Sequence, residues 1–195
     1  MTIESHPLSP FLPENATVLF LGSFPPPKFR WSMEFFYPNW INDFWRICGI
    51  IFYGDKSFFE VLGEKRFAKE RVVAFAKEKG LAFFDTATKV KRLNDDASDK
   101  FLEILEPTDV IAMLEQLPHC TKVITTGGKA SLELLNQFSS YIEWNGNKPG
   151  EPKVGECISF ELVERKMEWW RMPSSSRAYP LSIDKKAEYY RKLFQ

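Results

Sequence analysis

The chain has 195 residues, enough for one α/β domain with a substantial core, and its 26 basic and 26 acidic side chains cancel to a formal charge of zero. That balance argues against a protein that coats nucleic acid non-specifically, which normally carries a basic excess, and leaves room for an enzyme touching a few phosphates in one groove. Three scattered cysteines (Cys48, Cys120, Cys157) give neither a disulfide framework nor zinc spacing, and His6 and His119 are too few for a histidine-built centre.

In chain order, residues 1–15 carry prolines at 7, 10 and 13 and read as an extended lead-in to one domain spanning 1–195. Thr17–Leu21 is a short apolar run ending in Gly22, the form of a strand buried on both faces. Ser23–Arg30, with prolines at 25, 26 and 27, continues as neither strand nor helix and is a stiff loop. Asn42–Phe52 has apolar residues at helical spacing, with Asn42 suited to cap the helix. Glu64–Lys79 is an amphipathic helix stopped by Gly80. Leu81–Phe84 is a second buried strand ending in Asp85-Thr86, and residues 86–106 read as polar and irregular. Thr108–Leu117 is a helix with Thr108 as cap, Lys122–Thr126 a third strand, and Gly127-Gly128 a tight turn into a helix over Lys129–Phe138. Residues 143–155, rich in Gly, Asn and Pro, form a surface excursion. Cys157–Val163 and Met167–Arg171 are a hairpin or successive strand segments, and Asp184–Phe194 is a closing helix.

Strands alternating with helices predict a three-layer α/β/α sandwich around a mainly parallel four-stranded sheet. Ligands of such folds sit at the carboxyl ends of the strands. The loops at Gly22–Arg30, Asp85–Arg92, Thr126–Lys129 and Met172–Arg177 are therefore expected to converge. Gly127-Gly128 completes no phosphate-loop motif, and the serines lack a GxSxG elbow, with His6 and His119 poorly placed as a base. An aromatic fraction of 15% supplies core mass and also rings that stack on bases. Met172-Pro173-Ser174-Ser175-Ser176-Arg177 offers small hydroxyls, main-chain N–H groups and one cation, a combination that holds phosphates without bulk.

Gly22-Ser23-Phe24-Pro25, the segment Phe36-Tyr37-Pro38-Asn39-Trp40-Ile41-Asn42-Asp43-Phe44-Trp45 and Met172–Arg177 together resemble the uracil-DNA glycosylase superfamily in order and place. The first two are most similar to the hypoxanthine-DNA glycosylase branch, the third to the mismatch-specific thymine/uracil glycosylases, and the resemblance runs from about residue 16 to the end. It implies a monofunctional DNA glycosylase of base-excision repair, without metal or cofactor, that flips a deaminated base (hypoxanthine or uracil) from DNA and hydrolyses its N-glycosidic bond. Where the superfamily often has a water-positioning Asp or Asn, this chain has Phe24, and the resemblance to the hypoxanthine branch moves that catalytic role to Asn42. Ser23, Phe24, Phe36, Tyr37 and Asp85 are the expected base-binding residues, with Phe36 or Tyr37 stacking and Asp85 reading the base edge. Ser174, Ser175, Ser176 and Arg177 are expected to hold the DNA backbone. Met172 stands where the most active uracil-specific members carry a His, which implies modest uracil activity. The alternatives are a non-catalytic nucleic-acid-binding module on the same fold, and an enzyme acting on a small nucleoside-like ligand. The opening MTIESHPLSPF lacks the form of a signal peptide, and no run of about 18 apolar residues occurs, so a cytoplasmic monomer with no membrane contact is expected, nucleoid-associated if prokaryotic.

Overall fold

The computed structural model describes residues 2–93, 99–141, 150–162 and 164–195. The strands are β1 (Thr2–Ser5), β2 (Val18–Gly22), β3 (Leu81–Asp85), β4 (Ala87–Arg92), β5 (Leu102–Pro107), β6 (Lys122–Thr126), β7 (Cys157–Leu162) and β8 (Arg165–Met172). The α-helices are α1 (Phe44–Tyr53), α2 (Lys69–Glu78), α3 (Val110–Glu115), α4 (Gly128–Tyr141) and α5 (Ile183–Arg191).

The apolar runs at 18–21 and 81–84 have no polar face to give to water, and both lie inside a central sheet of order β3-β2-β6-β8-β7. Its first four strands are mutually parallel. The expected four-stranded sheet needs one correction: the Cys157–Leu162 segment pairs antiparallel with β8 and adds a fifth, edge strand. Register aligns the carboxyl ends. Gly22 stands opposite Asp85, Leu21 opposite Thr125, and Thr126 opposite Met172. Helices flank this sheet over a largely aromatic core, in which Phe83 stacks on Phe20 at 5.5 Å between ring centres and Phe44 meets Phe20 edge-on at 5.2 Å. Most of the aromatic content is thus core mass.

One sequence expectation fails at the edge of this sheet. Residues 86–106 are not irregular: β4 and β5 form an antiparallel pair, with 94–98 outside the described residues. The register shifts between Ala87 and Lys89 and between Lys89 and Val90, and this bulge breaks the alternation by which a strand is recognised. Within the extended lead-in, β1 pairs with β4, Thr2 opposite Arg92 and Ser5 opposite Lys89. The β1-β4-β5 sheet carries a small apolar cluster of Phe24, Ala87, Val90 and Leu102.

Helix boundaries shift for local reasons. The helix expected from Glu64 begins at Lys69, because Glu60 bridges to Phe67 and the chain turns between them. Asp109, rather than Thr108, caps α3 by accepting from the Ala112 N–H at 2.9 Å. The Thr108 hydroxyl instead donates to the Asp85 carbonyl at 2.7 Å. Gly127, at φ 106°, makes the turn from β6 into α4, a conformation open to glycine at little cost.

Candidate functional site

The aligned strand ends open onto a cavity of about 520 Å³, within the range of small-molecule and cofactor sites. Its wall takes Gly22, Ser23 and Phe24 from the loop after β2, Asp85 from the end of β3 and Thr126 from the end of β6. The segment before α1 adds Phe36, Tyr37 and Asn42, and the loop after β8 adds Ser174, Ser175 and Ser176. Nine of the ten residues singled out from sequence therefore line one cavity, and Arg177 follows directly in the chain. The loops converge as the strand-end rule requires, except that Ala87–Arg92 leaves as β4 and Lys129 belongs to α4.

The 31–42 segment carries no regular secondary structure beyond bridges and turns, yet it is tied at many points. The Trp45 indole donates to the Phe36 carbonyl at 3.0 Å, and the Ser32 hydroxyl to the Pro38 carbonyl at 2.8 Å. Arg46, buried, donates through Nη1 to the carbonyls of Trp40 (2.7 Å) and Asn42 (3.1 Å) and pairs with Glu60 at 2.6 Å. These bonds hold Tyr37 at φ 51°, a left-handed conformation uncommon for a bulky residue. The Tyr37 ring stacks on Phe44 at 3.9 Å with 6° between planes, and its hydroxyl bonds Thr126 Oγ1 at 3.0 Å. Burial raises the Tyr37 phenol far above its ordinary value, only partly offset by the Thr126 bond, so the group is neutral. Phe36 is buried against Phe83, its ring near-parallel at 5.9 Å. Phe24, on the cavity wall, also packs with Ala87, Val90 and Leu102 in the small apolar cluster.

Asp43, not the expected Asn42, stands at the N-cap of α1, and Asn42, one position earlier, accepts the Phe44 N–H through its Oδ1 at 2.9 Å. This leaves one lone pair on that oxygen and the amide NH2 for other partners. The neighbouring Asp43 carries the electrostatics. Its buried carboxylate accepts from Arg177 through Oδ1 at 3.2 and 3.3 Å and from Lys186 through Oδ2 at 3.1 Å. Lys186, fully buried on α5, also donates to the Ser176 carbonyl at 2.8 Å, and the Asp43 N–H donates to the Ser175 carbonyl at 2.9 Å. Sequence reading passed over both Asp43 and Lys186. The available signal was a lysine four residues before buried Tyr190, on the inward stripe of an amphipathic helix.

These contacts sort the terminal loop. Ser174 Oγ accepts the Ser176 N–H at 3.2 Å and Ser176 Oγ accepts the Ala178 N–H at 3.3 Å, so both sit in local turns at the cavity wall. Ser175 is buried at 2% exposure. The Arg177 side chain stays half-exposed while paired with Asp43.

Among the described residues, Asp85 is the one acidic side chain on the cavity wall. Its Oδ2 lies 2.9 Å from Nε2 of His6, a residue that sequence reading set aside. Gly22 lies so close that a Cβ there would overlap Asp85 Oδ1, so this strand end must be glycine for the carboxylate to sit where it does. Among the described residues no three His, Cys, Asp or Glu side chains group as metal ligands.

No family model matches the chain, and no curated protein does. Among solved structures it is similar to the solution NMR structure of a "putative Uracil DNA glycosylase" from Methanosarcina acetivorans, with a TM-score of 0.62 and 21% identity over 100% of each chain. At that identity the likeness bears on the fold: an α/β arrangement with helices around a central, partly parallel sheet. Among the described residues, no helix is long and apolar enough to cross a membrane.

Proposed function

We propose that this chain is a monofunctional DNA glycosylase that hydrolyses the N-glycosidic bond of a deaminated base, hypoxanthine or uracil, extruded from DNA into the strand-end cavity. The observation that carries the reading is the convergence on one cavity of a carboxylate (Asp85), an amide (Asn42), aromatic walls (Phe36, Tyr37) and a serine loop (Ser174–Ser176). The full-length likeness to a structure named for uracil-DNA glycosylase chemistry supports it.

In this reading the flipped base enters between Ser23 and the Phe36–Tyr37 wall. Asp85, an acceptor, takes the N–H that hypoxanthine and uracil present where adenine and cytosine present a lone pair. Asn42, with its carbonyl half engaged by Phe44, places the attacking water through its remaining lone pair and amide hydrogens. Ser174, Ser176 and Arg177 meet the phosphates flanking the extruded nucleotide, and buried Ser175 anchors the loop to Asp43 through its carbonyl.

One observation favours a second reading. Phe24, which stands where the superfamily often has the water-positioning residue, is committed to a small apolar cluster and leaves Asn42 without that partner. A non-catalytic nucleic-acid-binding module is compatible with this. Duplexes bearing a single uracil, hypoxanthine, xanthine or mismatched thymine, incubated with the protein and then treated with alkali, separate the two. Strand breaks at hypoxanthine or uracil are the expected result. Binding without breaks supports the module, and no binding at low salt supports an enzyme of small nucleoside-like ligands.

A further inference from the structure

His6 lies outside the cavity wall and directly behind it. Its side chain is 4% exposed and packs among three phenyl rings: Phe84 at 4.5 Å, Phe24 at 5.3 Å and Phe36 at 6.3 Å between ring centres. An imidazole in such a cage keeps its orientation only if both nitrogens find partners. Nδ1 lies 2.8 Å from the Leu8 carbonyl and 3.2 Å from the Leu8 N–H, and Nε2 lies 2.9 Å from Asp85 Oδ2. The residue is placed by β1, whose pairing with β4 continues into the His6 N–H bond to the Thr88 carbonyl at 2.7 Å. Arg92, buried at 2% exposure, bonds Glu4 at 2.7 Å and the Pro25 carbonyl at 3.1 Å, tying the N-terminal strand to the loop after β2.

The Asp85 carboxylate is thereby held through one oxygen and confined beside the other. His6 occupies Oδ2, and the Gly22 backbone closes against Oδ1 without leaving space for a side chain. We propose that His6 is a positioning residue for base selection. By donating through Nε2 it holds Asp85 as an acceptor with Oδ1 turned to the cavity, so that bases bearing a ring N–H are preferred over bases with a lone pair at that edge. This rests on the reading of the cavity as a base site, and it assigns the N-terminal strand a part in recognition.

The test uses the full chain and two readouts. The first is equilibrium binding of free hypoxanthine and free adenine, followed by NMR shifts of the Gly22 and Asp85 amides. The second is single-turnover excision from duplexes. In His6→Leu, the hypoxanthine-over-adenine preference is expected to fall by roughly tenfold to a hundredfold, the worth of one charge-assisted hydrogen bond. His6→Gln, whose amide nitrogen can reach Oδ2, is expected to restore most of it. Circular dichroism and the melting midpoint check that both variants fold. If His6→Leu fails to fold, the His6→Gln and His6→Asn pair carries the test, because only the longer amide reaches Asp85, and equal preferences in the two would overturn the proposal. An unchanged preference in folded His6→Leu, equal losses in Leu and Gln, or no preference in the parent protein would also overturn it. A parent protein that binds hypoxanthine selectively but breaks no strand would sink the glycosylase reading and leave the His6 assignment standing.

Discussion

Lys186→Met removes the charge that joins α5, the start of α1 and the serine loop while keeping a side chain of similar length. In the parent, the fully buried ammonium satisfies Asp43 Oδ2 at 3.1 Å and the Ser176 carbonyl at 2.8 Å. After the substitution Oδ2 is left without its donor, and Asp43 keeps only Arg177, whose side chain is 51% exposed. Breaking one partner of a buried ion pair costs about 3–5 kcal/mol, and the surviving Arg177 contact places the expected loss near the lower figure, about 3 kcal/mol. With a urea dependence of about 2 kcal/mol per molar, the unfolding midpoint should fall by roughly 1.5 M. Asp43→Asn in the Lys186→Met background should recover part of this, because a neutral amide is cheaper to leave buried than a carboxylate. The same urea titration should show an unchanged slope if only the native contacts differ. A midpoint shift equivalent to less than about 0.5 kcal/mol, the range of ordinary surface substitutions, would refute the reasoning.

Further outcomes follow from the same geometry. Gly22→Ala should displace the Asp85 carboxylate that His6 holds, lowering hypoxanthine affinity at least tenfold in the NMR titration; unchanged affinity would mean that Asp85 Oδ1 is not the contact. Burial raises the phenols of Tyr37 and Tyr190 above their ordinary value of about 10. A group whose folded value lies above its unfolded one supports the fold below the unfolded value, so stability should hold up to about pH 10 and fall as the pH rises beyond it. Ultraviolet titration should then show two of the six tyrosines ionising only as the protein unfolds. Cys48 and Cys120 are buried, and burial pushes the Cys120 thiol up to about 11, so a thiol reagent at neutral pH should label Cys157 first and those two only on denaturation. Rapid native labelling of Cys48 would contradict the packing of α1.

The central sheet was legible because β2 and β3 are short apolar runs ending at Gly22 and Asp85, and β6 is a β-branched run ending at the Gly127-Gly128 turn, where composition and punctuation agree. The strand-end rule then points to the cavity that the loops line. What escaped was formed by pairing between distant segments. β1 reads as a strand only once β4 is recognised, and the bulge at Ala87–Val90 hides β4. His6 was read only as poorly placed to serve the serines as a base, and sheet formation brings it to Asp85 across 79 positions. Asp43 and Lys186, 143 positions apart, form a buried pair of a kind that sequence reading discounts, since isolated charges are costly inside a protein. Asn42 shows a near miss: its place at the start of α1 was legible from helix spacing, but the cap position falls to Asp43, and Asn42 spends only part of its bonding capacity on the Phe44 N–H.

The most direct test of the proposed chemistry compares the parent protein with Asn42→Ala on a duplex carrying one hypoxanthine or one uracil, under single-turnover conditions with alkaline cleavage of the abasic product. The parent should yield strand breaks. Asn42→Ala should lose about a hundredfold or more in rate, the usual scale for one preorganised polar group, while DNA affinity stays within a few fold. Breaks at an undiminished rate in Asn42→Ala would remove Asn42 from the mechanism. The absence of breaks in the parent, with DNA still bound, would contradict glycosylase activity itself.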